Sequence, residues 1–459
     1  MKHLPNHGLY VPLKTPQRGE RWSETKIILV SFLCILIPAA ILMTLPVFSV
    51  SGLSFIDALF TATSAISVTG LGVVDTGTHF TLSGQVLLLI LMQIGGLGQM
   101  TLSAVLLYMF GLRMSLRQQS LTQEALGQNK VVNLHRLIKH IVIFALISEC
   151  IGTLILAIRW VPEFGWQKGM FTALFHAVSA FNNAGFSLFS DSLTQFNSEP
   201  WVLFTIAGLF IIGGLGFTVV SDLHRNFSKG VFKGIKHLQL HSKIMLVATP
   251  CLLAFGTVMF WLLESDNVTT LGALSTGEQW LASFFQSATM RTAGFNTVDL
   301  SQLTHPTILI MILLMLIGAG STSTGGGIKV STFVVAMTAT WSFLRQRNHV
   351  ALFQRTIEPQ TVTKCLAIIV VSGLMLTLAM FLLMITEQAS FVSIMFETIS
   401  AFATVGVSGG LTAELTEGGK LIMVVVMITG RIGPLTLAYM LARPKPSKLK
   451  YPDGNVLAG

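Results

Sequence analysis

Four glycines at near-equal intervals carry the chemistry this sequence offers. Each closes an eleven-residue stretch that opens on phenylalanine: FTATSAISVTG ends at Gly70, FHAVSAFNNAG at Gly185, FFQSATMRTAG at Gly294 and FETISAFATVG at Gly406. Successive glycines lie 115, 109 and 112 residues apart. Ser64, Ser179 and Ser400 stand six residues before three of them, with Ala288 in the remaining copy. A second glycine follows each after 24 to 28 residues: Gly95, Gly213, Gly318 and Gly430. Such self-similarity marks an internal fourfold repeat. Glycine takes φ > 0 without penalty, so the chain can turn there and aim carbonyl oxygens inward, where they replace the water a cation sheds.

The elements that must position these loops are membrane helices. The chain has 459 residues, of which 52% are apolar and only 11% charged, with a mean hydropathy of +0.71. Soluble domains carry about 25% charged residues, so a cytosolic enzyme, a nucleic-acid binder and a disordered chain are excluded. Eight apolar segments reach the roughly 20 residues that cross a bilayer: 27–50, 84–110, 140–160, 200–222, 244–263, 306–340, 365–386 and 419–441. Between the members of each pair lie 54–66, 169–181, 278–290 and 392–402, too short to cross and expected to be re-entrant.

The expected fold is therefore all-α and integral to the membrane, with four tandem units of helix, re-entrant helix, loop and helix around a central pore. Non-helical backbone at membrane depth must be buried in protein or line a water-filled cavity, a condition four loops around one axis meet together. The negative end of each short helix favours a cation on that axis. Four tight turns supporting a non-conducting scaffold is the alternative, and it leaves the break in the sixth span unexplained.

Charge sets the orientation. Twenty-three of the 29 Lys and Arg residues fall in the arm 1–26, the loops 111–139, 223–243 and 344–364, and the tail 442–459. The positive-inside rule puts these in the cytoplasm with both termini. Thirteen of the 20 acids, among them Asp57, Glu264, Glu387 and Glu397, lie beside the short stretches or in outer loops. They read either as a cation-concentrating mouth or as an ordinary solvated face. The units expected are repeats 27–112, 113–222, 223–343 and 344–441, flanked by the cytoplasmic arm and tail.

The sixth span is interrupted by GAGSTSTGGGIK, residues 318–329. Each Gly costs a helix about 1 kcal/mol relative to Ala, so five in ten positions end it and leave a mobile segment suited to a wet cavity. No Gly-Lys-Ser/Thr follows at Walker A spacing, so nucleotide hydrolysis is not expected.

The loops SVTGLGVVD, NNAGFSLFSD, RTAGFNTVD and TVGVSGG resemble the selectivity loops of the Trk/Ktr/HKT superfamily of potassium transporters. With GAGSTSTGGGIKVST, they bring the chain nearest to the KtrB-type membrane subunit of Ktr potassium uptake systems. The resemblance covers essentially the whole chain. It implies a selectivity filter of Val68, Thr69, Gly70, Asn183, Ala184, Gly185, Thr292, Ala293, Gly294, Thr404, Val405 and Gly406, with K+ at the carbonyls of the four glycines. Sodium-transporting relatives tend to have Ser at the first of these, and Gly70 therefore favours potassium. Only glycine is common to all four loops, which suggests fewer ion sites than a TVGYG filter provides.

The resemblance further implies a gate of Gly318, Gly320, Ser321, Thr322, Ser323, Thr324, Gly325, Gly326, Gly327 and Lys329, together with Arg431. It implies a homodimer, a cytoplasmic nucleotide-binding KtrA-like ring subunit docked on the basic face, a bacterial inner-membrane location and some involvement of sodium. It implies no enzymatic activity, no cofactor and no nucleic-acid partner.

Arg431 sits in the last span, and a buried membrane arginine is a functional residue by default. It is expected at the gating loop, with a salt bridge to Glu149 as the other reading. Arg291 is expected to pair with an acid such as Asp299. His176 is read as packing, Asn267-Val-Thr269 as a chance sequon, and Arg159, Trp160 and Trp166 as an interfacial anchor. Cys34, Cys150, Cys251 and Cys365, one per apolar segment, are expected to stay unbridged. A cotransporter with alternating access is the rival function, since broken helices mark such sites too.

Overall fold

The computed structural model describes residues 24–98, 134–227, 237–321 and 323–434. The arm 1–23, the loop 99–133, residues 228–236, Thr322 and the segment 435–459 with its basic tail lie outside the described residues. The first quarter has α1 (Glu24–Met43), α2 (Phe55–Ser67), the single turn α3 (Thr76–His79) and α4 (Leu82–Leu97). The second has α5 (Leu134–Phe164), α6 (Trp166–Phe181), α7 (Pro200–Leu215) and α8 (Phe217–Phe227). The third has α9 (Leu240–Glu264), α10 (Thr276–Thr289), α11 (His305–Leu316) and α12 (Val330–Leu344). A two-stranded hairpin, β1 (Ala351–Leu352) and β2 (Arg355–Thr356), leads into α13 (Pro359–Thr386), α14 (Phe391–Ala403), α15 (Leu411–Glu414) and α16 (Glu417–Ile432).

The short helices α2, α6, α10 and α14 form the interior. Their C-terminal halves are almost wholly buried, and each packs on the first helix of its own quarter. Each also packs on the first long helix after the glycine loop of the preceding quarter: α6 on α4, α10 on α7, α14 on α11, and α2 on α16. The last contact joins the fourth quarter to the first, so the four units close into a ring. Among the described residues, Lys139–Phe164, α9 and α13 are long and apolar enough to cross a membrane.

Several boundaries differ from expectation, and glycine explains most of them. The span expected over 200–222 is two helices, α7 and α8, bent 91° apart at Gly216, which has φ +98°. Helix α4 stops at Gly98 (φ +80°) and α16 at Gly433 (φ +97°). These residues end the sequences GGLG, GGLG and GRIG that begin at Gly95, Gly213 and Gly430. Left-handed backbone suits glycine and terminates a helix. Helix α1 stops at Met43, short of residue 50 and three residues before Pro46. The break expected in 306–340 lies between α11 and α12.

Several of the outer acids serve as internal fasteners. Glu264, fully buried at the end of α9, accepts bonds from the Thr304 amide (2.9 Å) and hydroxyl (2.8 Å), from the hydroxyls of Thr307 and Thr270 (2.7 Å), and from Asn267 Nδ2 (2.7 Å). Glu387, after α13, clasps Thr416 at the start of α16 through its amide (3.1 Å) and hydroxyl (2.6 Å). Asp57 pairs with Lys420 at 2.6 Å, Asp75 caps α3, and Glu278 completes a capping box with Ser275. Asp191, Asp266, Glu414 and Glu417 remain exposed. A carboxylate at the end of one helix satisfies N–H groups that the start of the next would otherwise leave orphaned. Glu264→Leu takes the shared acceptor from five donors, and each group left orphaned costs about 1–3 kcal/mol. The variant should lose several degrees of apparent melting temperature in detergent, read by fluorescence-detected size exclusion.

Other residues depart from expectation. Trp160 is fully buried between His176, Phe189 and Phe196 and is no interfacial anchor, whereas Trp166 is exposed. Arg159 binds Glu163 at 2.6 Å and Glu199 at 2.7 Å. The Asn267 amide is engaged with Glu264 and with the Gln302 carbonyl (3.0 Å), so a glycan there would have to displace one of these two contacts. All four cysteines are free.

Candidate ion-coordinating site

Helices α2, α6, α10 and α14 deliver the four glycines to one place. A Cβ added to Gly70 would lie 2.5 Å from the Ala184 carbonyl oxygen and 3.1 Å from Gly185 Cα. At Gly185 it would lie 2.8 Å from Gly294 Cα, at Gly294 2.7 Å from the Val405 carbonyl oxygen, and at Gly406 2.8 Å from Gly70 Cα. The glycines thus pack in cyclic order, 70 to 185 to 294 to 406 and back to 70, with no space for a side chain at any of them.

The backbone leading into each glycine is strained in the same way. Val68 (φ 58°), Asn183 (φ 59°), Thr292 (φ 77°) and Thr404 (φ 52°) all stand two residues before their glycine, and the glycines have φ 95°, 70°, 85° and 87°. A positive φ is an outlier for Val or Thr, and each instance costs of order 1–3 kcal/mol unless its surroundings impose it. The intervening Thr69, Ala184, Ala293 and Val405 have ordinary φ. Alternation of positive with ordinary φ departs from the zigzag of a strand and lets successive carbonyl oxygens face one side.

The repeated serines hold these turns. The amides of Thr69, Ala184 and Val405 donate to the carbonyls of Ser64 (2.8 Å), Ser179 (2.8 Å) and Ser400 (2.9 Å). Ser64 Oγ accepts from the Gly70 amide (3.0 Å), while Ser179 and Ser400 donate to the carbonyls just past their glycines, Phe186 (2.8 Å) and Val407 (2.7 Å). Where the third copy has Ala288, the turn tightens and Ala293 donates to Thr289 instead (2.9 Å). The sequence carried this spacing, although only coordinates assign it a task.

The GAGSTSTGGGIK segment packs against the same cluster from the side of the strained residues. Thr324 Oγ1 donates to Asn183 Oδ1 (2.8 Å), and the Gly326 amide donates to Thr404 Oγ1 (2.8 Å). Added Cβ atoms would meet Thr404 at Gly326 and the Thr292 side chain at Gly325. The segment is tied to α7 through the Gly320 amide and the Gly214 carbonyl (2.9 Å), and it closes on itself through the Gly318 amide and the Ile328 carbonyl (2.8 Å). Lys329 turns its ammonium back onto the Gly325 and Gly326 carbonyls. Arg431 donates to the carbonyls of Thr324 and Gly95, joining the segment to the first quarter. Thr322 lies outside the described residues.

The alternative pairing of Arg431 with Glu149 and the expected pairing of Arg291 with Asp299 are both absent. Glu149 accepts from Gln93 Nε2 (3.2 Å) and Asn182 Nδ2 (3.1 Å) and does not reach Arg431. The guanidinium donates instead to the Thr324 and Gly95 carbonyls. Arg291 is buried with Nε unpartnered, because Asp299 is turned outward to cap Ser301. Three of the second glycines, Gly95, Gly213 and Gly430, press against the carbonyls of Ile66, Phe181 and Phe402, the residues four before each loop glycine. Gly318 packs instead on Gly326, since the third quarter's helix has already broken into the segment.

The TrkH family, described as cation transport proteins, matches residues 4–451. The chain belongs to the TrkH family. It is 70% identical to the Ktr system potassium uptake protein B of Vibrio alginolyticus, with full coverage of both chains. It is 45% identical to the protein of the same name from Bacillus subtilis, over 96% of this chain and 97% of that one. It is 35% identical to the potassium/sodium uptake protein NtpJ of Enterococcus hirae, over 96% and 98% of the two chains. Its fold matches the crystal structure of the potassium transporter TrkH from Vibrio parahaemolyticus with a TM-score of 0.74 at 18% identity, over 92% of this chain and 86% of that one. As a TrkH-family member with long apolar helices, the chain is a multi-pass membrane protein, and the relatives are named as transport proteins, not enzymes.

Proposed function

We propose that this chain is the membrane subunit of a potassium uptake system, and that K+ passes through it dehydrated at the four-loop cluster. The cyclic packing of Gly70, Gly185, Gly294 and Gly406 carries the reading. One chain supplies all four loops, so each protomer has its own pore. The close relatives named as potassium uptake proteins of Ktr systems support the choice of ion. Val68 to Gly70 and their three counterparts act as the filter, with K+ at the glycine carbonyls. Residues 318–329, with Lys329 and Arg431, act as the gate, because they fill the space against Asn183, Thr292 and Thr404 and hold two cationic side chains there. The protein lies in the bacterial inner membrane with both termini inside, as a homodimer. Its basic cytoplasmic segments dock a nucleotide-binding KtrA-like ring, and the word "system" in the relatives' names fits a partner subunit. The membrane potential, worth about 2.3 kcal/mol per charge per 100 mV, drives entry, with sodium as co-ion or competitor.

An alternating-access cotransporter is the second reading, favoured by the 91° break between α7 and α8 and by the potassium/sodium name of the Enterococcus relative. Expression in a potassium-uptake-deficient strain tests the primary reading. The chain, with its ring subunit, should restore growth at micromolar potassium, and Gly70→Ser should reduce the preference for potassium over sodium in the same cells. Absence of growth with well-inserted protein would exclude transport. Saturable, stoichiometric flux without single-channel currents would select the cotransporter.

A further inference from the structure

One position on the short helices has a chemistry that the fourfold repeat does not explain. Nine residues before each loop glycine, directly after the repeated phenylalanine, stand Thr61, His176, Phe285 and Glu397. His176 is wholly buried, and its Nδ1 lies 2.8 Å from the Thr172 carbonyl, which can only accept. The ring proton is therefore on Nδ1. Nε2 is left to accept from the Ser187 hydroxyl (3.0 Å) and the Leu188 amide (3.4 Å). Glu397, also buried, accepts from the Ser408 hydroxyl (2.6 Å) and the Gly409 amide (2.9 Å), with the Thr412 hydroxyl (2.6 Å) on its other oxygen.

Ser187 and Leu188 are the second and third residues after Gly185; Ser408 and Gly409 are the second and third after Gly406. Two unlike acceptors therefore do one task at one offset, in quarters that face each other across the cyclic order. The other two quarters lack this anchor. Thr61 Oγ1 has no partner, and Phe285 cannot accept. The third loop leans on the second instead, with the Asn296 amide on Ser192 Oγ (3.2 Å) and the Leu193 amide on the Asn296 carbonyl (3.0 Å).

We propose that His176 and Glu397 are positioning residues that set the preference for potassium over sodium by bracing two opposite loops from behind. The proposal rests on the filter reading above. Where selectivity comes from fit, a carbonyl ring rejects a smaller cation because its oxygens do not close in on it. Stiffness at Gly185 and Gly406 fixes one diameter of that ring, while the other two loops adapt. Without either brace, the loop behind it yields toward the smaller ion, and sodium is admitted while potassium still passes.

The test compares potassium and sodium uptake in proteoliposomes of the full chain with its ring subunit. His176→Phe and Glu397→Leu remove the acceptor while keeping the bulk. Each should lower the potassium-over-sodium preference about tenfold, the effect of losing one buried bond to a strong acceptor. His176→Gln and Glu397→Gln retain an acceptor oxygen and should stay within about threefold of the parent. Should the core substitutions fail to insert, Ser187→Ala and Ser408→Ala remove the donors from the loop side and should move the preference the same way. Unchanged preference with intact potassium uptake would overturn the proposal, as would a Gln variant as impaired as its Phe or Leu counterpart. Loss of both ions in proportion would assign a purely structural role and overturn it too. Gly70→Ser in parallel separates the two levels: if its preference is also unchanged, the filter reading has failed; if it shifts while the brace variants do not, only the bracing has.

Discussion

Replacing Gly406 by alanine is expected to weaken potassium uptake by at least tenfold in apparent affinity while leaving the protein folded. Gly406 has φ +87°, and an added methyl would lie 2.8 Å from Gly70 Cα and closer still to the Thr69 carbonyl. Left-handed backbone costs an L-residue about 1–2 kcal/mol, and 1.4 kcal/mol is already a factor of about ten. The clash falls on the Thr69 carbonyl and on Gly70, whose own carbonyl is proposed to meet the ion, so the relief of strain must misplace a ligand. Rubidium uptake against concentration measures the effect. Gly410→Ala is the control: that glycine also has a positive φ but nothing within 4 Å, so it should lose some stability and keep its affinity. Equal affinities for the two variants would mean that the glycine ring does not touch the permeating ion.

Loss of the Arg431 tether should have the opposite sign. The guanidinium holds the Thr324 carbonyl of the GAGSTSTGGGIK segment and the Gly95 carbonyl of α4 at once. Hydrogen bonds to a charged group contribute about 1.5–3 kcal/mol each. Arg431→Gln weakens both and removes a positive charge from the proposed path. Basal potassium flux without the ring subunit should rise tenfold or more, and deletion of 320–327 should raise it further. Flux in proteoliposomes, alongside size exclusion to verify the fold, measures both. A deletion that inserts normally but conducts nothing would make the segment a structural element.

The sequence was most legible where the chain repeats itself. Phenylalanine, serine and glycine recur at fixed offsets, and those offsets are why Gly70, Gly185, Gly294 and Gly406 could be named before any coordinates. The broken sixth span was legible because five glycines in ten residues override apolar content. Helix ends were less so. GGLG at 95–98 and 213–216 reads as ordinary membrane-helix glycine, and only the φ values at Gly98 and Gly216 reveal a stop. The strain at Val68 and Thr404 was illegible, since β-branched residues argue against left-handed backbone and tertiary contacts impose it. Nor could sequence tell which acids are free. Glu264 and Glu397 look like surface charges until the hydroxyls around them are placed. Pairings such as Arg291 with Asp299 failed because proximity along the chain says little about which way a side chain turns.

The closure of the fourth quarter onto the first has a bearing on how the protein is made. Lys420 reaches back 363 residues to Asp57, and Arg431 reaches back 336 to Gly95. A ribosome therefore delivers three quarters of the circle to the bilayer before the bonds that shut it exist. Until the fourth quarter is inserted, the first loop has no neighbour on one flank, and its carbonyls must find water or a chaperone, since lipid offers neither. Nascent chains stalled before residue 417 should be the ones that quality-control proteases find.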